Sequence, residues 1–127
     1  RGRAGRSPRR FVAGVDGAAE GNGYEAGSAP RADDLIIEKY GYGAFHGTNL
    51  NGALRHMGVG SLAITGTVTQ ICVEETARQA FHHDFPTTMV VDAVSSFDPE
   101  LQAATLRNFA MKFGWVQSSA EVIAALG

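Results

Sequence analysis

The rhythm of apolar and polar positions changes at Leu35. Before it, residues 1–34 are rich in Gly, Arg, Ala and Ser, a loop composition with at most a short strand at Phe11–Val15. After it, short apolar runs alternate with helical stripes. LIIEK (35–39) reads as a short buried strand that ends on a charge, and GYGAFHG (41–47) as a glycine-punctuated loop. Thr48 or Asn49 can cap a helix through about Met57, with Leu50, Ala53, Leu54 and Met57 on one face and Gly58 and Gly60 as its stop. SLAIT (61–65) is a second strand and GTVTQ (66–70) a turn. A helix from about Ile71 to His83 follows, with Val73, Ala77, Ala80 and Phe81 at helical spacing. TTMVVDA (87–93) is a third strand. Pro99 opens a helix over 99–113 whose inner face is Leu101, Thr105, Leu106, Phe109, Ala110 and Phe113. Trp115–Val116 forms a short last strand, and Ser119 caps a final helix over 120–126.

Strands alternating with helices predict βαβ units. The expected fold is a three-layer α/β/α domain with a mostly parallel sheet, divided into a loop-rich segment 1–34 and a single domain 35–127. Sites in such sheets form at the carboxyl ends of the strands. Lys39 ends the first clear strand there, and Gly66–Cys72 leaves the second and opens a helix.

Composition narrows the function classes. The chain has 127 residues, 44% apolar and 19% charged, with a net charge of -2, which suits one ordinary domain. That balance does not call for nucleic acid or an acidic membrane surface. The first ten residues, RGRAGRSPRR, are half arginine. No basic, aromatic-laced pattern continues them, so they read as an exposed loop rather than a nucleic-acid arm. No apolar run reaches transmembrane length. The single cysteine excludes an internal disulfide and a multi-cysteine zinc site, and fits a reducing, cytoplasmic setting.

Cys72 has two readings. Free cysteines are among the most buried residue types, so it fills a core in one of them. In the other it sits at a helix N-terminus, where unpaired N–H groups and the helix dipole favour thiolate. The same N–H groups could hold an oxyanion. Lys39 on the adjacent rim would add positive charge, although a strand-end lysine is more often simply solvated. Position alone leaves both readings open. None of the four histidines falls at an obvious strand end to serve as base: His46 lies in a loop, His56 late in a helix, His82 and His83 at a helix end. Glu74 and Glu75 suit a first helical turn without any function. Phe45 and Trp115 default to packing.

The combination is more specific than its parts. LIIEKYGYGAFHGTNL (35–50), LAITGTVTQICVEETARQAF (62–81) and VVDAVSSFDPE (90–100) together resemble the isochorismatase-like cysteine hydrolases. The resemblance rests on a strand-end Lys, an aromatic-x-x-Thr-x-Leu loop and Thr-Gly-x-x-Thr-x-x-Cys-Val-Glu before a helix. It implies an Asp–Lys–Cys triad with Cys72 as nucleophile and Lys39 as its lysine. It also implies a cis peptide at Thr67–Val68, an oxyanion hole from the Val68 and Cys72 N–H groups, and Tyr42, Phe45 and His46 along the pocket. The family's aspartate ends an apolar strand upstream of the lysine. No such run precedes Lys39 here, and Asp16 in AGVDGAA is the remote candidate. The chain is therefore expected to lack the first βαβ portion, as a fragment or a degenerate member, and to expose apolar sheet edges.

The implied function is hydrolysis of a C–N bond in a small amide, ureido or carbamoyl compound through a Cys72 thioester. KFGWVQSSAEV (112–122) leans toward the ureidoacrylate- and biuret-type branches. The alternatives are isochorismatase chemistry, which cleaves a vinyl ether, and a non-catalytic truncated homologue serving as an interaction subunit. No Asp-x-His segment of the nicotinamidase branch occurs, so no metal and no cofactor is expected. A homo-oligomer is implied by the resemblance.

Overall fold

The computed structural model describes the strand Phe11–Val15 and residues 31–126. Five strands are seen there: β1 (Phe11–Val15), β2 (Leu35–Lys39), β3 (Leu62–Thr67), β4 (Thr87–Ser95) and β5 (Trp115–Gln117). They alternate with α1 (Leu50–His56), α2 (Glu74–His82), α3 (Pro99–Lys112) and α4 (Ser119–Leu126), and a π-helical turn, Thr69–Val73, leads into α2. Every strand pairing is parallel. The fold is mixed α/β with a parallel sheet. Met89 and Val90 are consecutive and both buried, so β4 is covered on its two faces.

Among the described residues the pairing falls into two groups, β1–β2 and β3–β4–β5. One edge of β2 and one of β3 therefore lack a strand partner there. The two groups still share a core, in which Ile37 of β2 packs in one cluster with Leu50, Leu54, Ile64, Met89 and Phe109.

β2 is half-buried rather than fully buried. Period-two alternation turns Ile37 and Lys39 inward and leaves Ile36 and Glu38 exposed. That alternation, and no special device, puts a lysine on the core face.

β3 runs two residues into the segment that the sequence suggests is a turn. Gly66, at φ 121°, lets it pass a register shift and pair Gly66 with Val94 and Thr67 with Ser95. β4 is lengthened to Ser95 by the same pairing. The π-helical turn then starts at Thr69, earlier than the expected helix.

Two helix faces differ from expectation. Val73 at the end of the π-helical turn and Ala77 and Ala80 on α2 are buried, but Phe81 is 42% exposed and Thr76 takes an inner position. On α3 only Thr105 and Phe109 are buried, while Leu101 is 49% exposed. A narrow stripe of α3 meets the core, with Leu106 partly buried beside it, while Leu101 and Met111 stand exposed. Asp98 caps α3, accepting the Glu100 and Leu101 N–H groups at 3.1 Å each.

The cap of α4 is Ser118, not Ser119. Ser118 Oγ accepts the Glu121 N–H (3.1 Å) and the Glu121 carboxylate accepts the Ser118 N–H (3.0 Å), a reciprocal capping box. Ser119 instead donates its N–H and hydroxyl to Asp92 of β4, at 2.7 and 2.5 Å. These bonds hold the Asp92 carboxyl below its ordinary pKa.

Candidate active site

β2 delivers Lys39 to the site, and the chain then folds back over it. Lys39 is 4% exposed. Its ammonium donates to the Gly41 carbonyl at 2.7 Å and the Tyr42 carbonyl at 2.9 Å. Two of its three N–H bonds are thus spent on the loop that follows it. Burial pushes the Lys39 pKa down, because a dry ammonium is costly, and negative charge at Cys72 acts in the opposite sense.

That segment has an unusual course. The Thr67–Val68 peptide bond is cis, and Val68 is extended at φ -90° and ψ 140°. The Val68 carbonyl accepts from the Ile71 N–H (3.0 Å) and the Val73 N–H (3.3 Å), which closes the widened π-type turn. Thr69 is wholly buried, and its hydroxyl donates to Gln102 Oε1 at 2.9 Å, pinning the turn to α3. Cys72 lies in this turn as a free, half-buried thiol at the start of the helical segment. Glu74 pairs with Arg78 at 3.3 Å, a solvent-screened i,i+4 contact worth little to stability.

The loop 41–47 is fastened to α2 by three consecutive amides. Ala44 N–H donates to Thr76 Oγ1 (3.0 Å), and Phe45 and His46 N–H donate to Gln79 Oε1 (3.0 and 3.3 Å). Gln79 Nε2 donates to Glu75 Oε1 at 3.3 Å, which keeps the amide oxygen facing the loop. Gly43 passes so close that a Cβ there would collide with the Gln79 carboxamide. Gly43→Ala is expected to displace Gln79 and lower stability by about 1–2 kcal/mol through the lost hydrogen bonds. Urea unfolding checks this, and an unchanged midpoint would show that the close approach is not needed.

The other expected site residues are placed unevenly. Tyr42 contributes its backbone carbonyl to Lys39, while its side chain is 64% exposed. Phe45 belongs to the core, stacked on His83 (centroids 5.0 Å apart) and tilted against Phe85 (6.0 Å). His46 is exposed. Asp16 lies outside the described residues. Among the described residues no group of three potential metal ligands occurs. No helix there is long and apolar enough to cross a membrane.

Thr76 and Gln79 were not among the candidates from sequence. Their only signal was polar residues at i+4 and i+7 from Cys72 on a helix with an apolar face. The open groove of about 570 Å³ lined by Phe81, Phe85, Pro86, Met111, Phe113 and Trp115 is not part of this site. It lies where β4 and β5 begin, whereas Cys72 follows the carboxyl end of β3.

Known proteins share this sequence pattern and this fold. Residues 5–121 match the Isochorismatase domain. A ureidoacrylate amidohydrolase RutB from Methylobacterium radiotolerans is 38% identical over 99 residues, covering 77% of this chain and 38% of the relative. A cysteine hydrolase from Pseudomonas syringae pv. phaseolicola superposes with a TM-score of 0.73 at 33% identity, over 77% of this chain and 51% of that one. N-carbamoylsarcosine amidase from Thermoplasma acidophilum gives 0.62 at 34% identity, over 71% and 51%. The chain belongs to the isochorismatase-domain family of hydrolase-like α/β proteins. It spans under two fifths of the RutB relative and about half of the solved chains.

Proposed function

We propose that this protein hydrolyses a C–N bond of a small amide, ureido or carbamoyl compound, with Cys72 as nucleophile. The observation that carries the reading is the placement of a buried lysine at the end of β2, seated by two carbonyls, and of a free thiol in the turn that opens a helix after β3. Relatives named as a ureidoacrylate amidohydrolase and an N-carbamoylsarcosine amidase support the substrate class.

In the proposed reaction the Cys72 thiolate attacks the substrate carbonyl carbon. A C–S bond forms and the carbonyl electrons move to oxygen. The Val68 and Cys72 N–H groups hold that oxyanion, helped by the positive end of the helical segment. The oxyanion collapses and the C–N bond breaks. The departing nitrogen takes a proton from a general acid, the role for which Asp16 is the candidate in this chain. Water then attacks the thioester, releasing the acid and restoring the thiol. Lys39 stabilises the thiolate with its remaining N–H and its charge. We read the protein as a cytoplasmic homo-oligomer acting without a metal.

Turnover assays on a panel of primary amides, ureides, carbamoyl amines and isochorismate test this. Release of ammonia or amine from at least one C–N substrate is expected. Cleavage of isochorismate alone would transfer the same site to vinyl ether chemistry, and no turnover across the panel would favour an interaction subunit.

A further inference from the structure

Thr76 and Gln79 are three residues apart on α2 and so share one stripe of it. Cys72 lies in the π-helical turn that leads directly into that helix. The two α2 side chains bind backbone, at Ala44 N–H, Phe45 N–H and His46 N–H. The same loop turns its Gly41 and Tyr42 carbonyls back onto the Lys39 ammonium. The loop is thus bonded at residues 44–46 to the helix that follows the thiol, and at residues 41 and 42 to the lysine, with Gly43 between. Neither Thr76 nor Gln79 touches a reacting atom in the proposed chemistry.

We propose that Thr76 and Gln79 are positioning residues that set the Lys39 ammonium against the Cys72 thiol by clamping the loop 41–46 to the helix that follows the thiol. The inference rests on the Cys72–Lys39 pair of the proposed function. Its physical logic is that a lysine side chain has four flexible carbons and cannot hold one place unaided. Two carbonyls seat it only if the loop is itself fixed. The Ala44 N–H is buried, and the clamp satisfies it from side chains because the loop has no strand neighbour. Gly43 is the residue type that lets the loop come this close.

The test uses the full chain and needs no substrate. The rate of Cys72 alkylation by iodoacetamide is measured across pH for the parent, Lys39→Met, Gln79→Leu and Thr76→Val. Hydrogen exchange of the Ala44, Phe45 and His46 amides is followed in parallel. Lys39→Met is expected to move the alkylation profile to higher pH. Gln79→Leu and Thr76→Val should move it the same way, with about a tenfold loss of rate at neutral pH and loss of protection at the clamped amides. The exchange Glu75→Gln with Gln79→Glu keeps the net charge and the acceptor, and is expected to restore both readouts to within about twofold of the parent. If Gln79→Leu fails to fold, Gln79→Asn, one methylene shorter, is scored by the same criteria. A clamp variant that loses amide protection yet alkylates like the parent would reduce Thr76 and Gln79 to structural residues and overturn the proposal. A Lys39→Met profile identical to the parent's would overturn it too. Failure of the hydrolase reading is recognised separately, by absence of turnover in the substrate panel while Lys39→Met and Gln79→Leu still shift alkylation together.

Discussion

Cys72→Ala is expected to lower turnover of a small amide or ureido substrate by about 10⁴-fold or more while leaving the unfolding midpoint near that of the parent. The chain has one cysteine, so no second thiol can substitute. What remains after the substitution is binding and oxyanion stabilisation, which accelerate attack by water only weakly. The thiol is half-buried, and its loss removes one sulfur from a helix start rather than a large core group. Folding should therefore survive. Cys72→Ser is expected to be nearly as inactive, because a serine hydroxyl stays protonated where a thiol ionises. Steady-state ammonia release and thermal unfolding check both parts. Retained turnover in either variant would remove Cys72 from the chemistry.

Lys39→Met separates function from stability. Methionine keeps the straight apolar stem and removes the ammonium. Turnover is expected to fall by about 10²–10³-fold, the scale of losing one well-placed stabilising group. Stability should respond differently. Burial holds the Lys39 pKa below its ordinary value of 10.5, so below that value the unfolded chain binds its proton more readily than the folded chain does. In the window between the lowered pKa and 10.5, stability rises with pH. Below the window the cost of the buried charge is fully present. Lys39→Met should flatten that alkaline slope, though it leaves the Gly41 and Tyr42 carbonyls without their donor. Urea unfolding over a pH series, made in a Cys72→Ala background so that the thiol does not titrate, measures it. An unchanged slope would mean that Lys39 is not the buried charge responsible.

Much of the order of elements was legible because it is written in local pattern. Alternating apolar runs and helical stripes located β2 to β5 and α1 to α4 to within a few residues. The failures differ in cause. β3 and β4 each ran on by two residues because they pair with one another beyond Gly66, and pairing is not visible in either strand alone. Phe81 and Leu101 looked like inner positions by spacing, yet both stand exposed, because spacing defines a stripe but not its width of contact. Ser118 rather than Ser119 caps α4, since the reciprocal partner Glu121 sits three residues beyond Ser118.

For the candidate site, the residues proposed to perform chemistry were legible and those proposed to place them were not. Cys72 and Lys39 stood out through the motifs that carry the family resemblance, since position alone left the role of each open. Tyr42 contributes a carbonyl, which every residue type possesses, so no side-chain pattern reveals it. Thr76 and Gln79 bind backbone amides 32 to 34 positions away, contacts that local periodicity does not encode.

The sequence by itself determined which elements form, that the strands run parallel, and that a thiol would stand at a helix start beyond one strand with a lysine at the end of another. Those follow from short-range propensity and from the handed, parallel logic of βαβ units. Only the tertiary structure decided that Lys39 is buried and that its ammonium is seated by the Gly41 and Tyr42 carbonyls. Those depend on desolvation and on the distance between segments far apart in the chain, quantities that exist only once the loop 41–47 has closed onto α2.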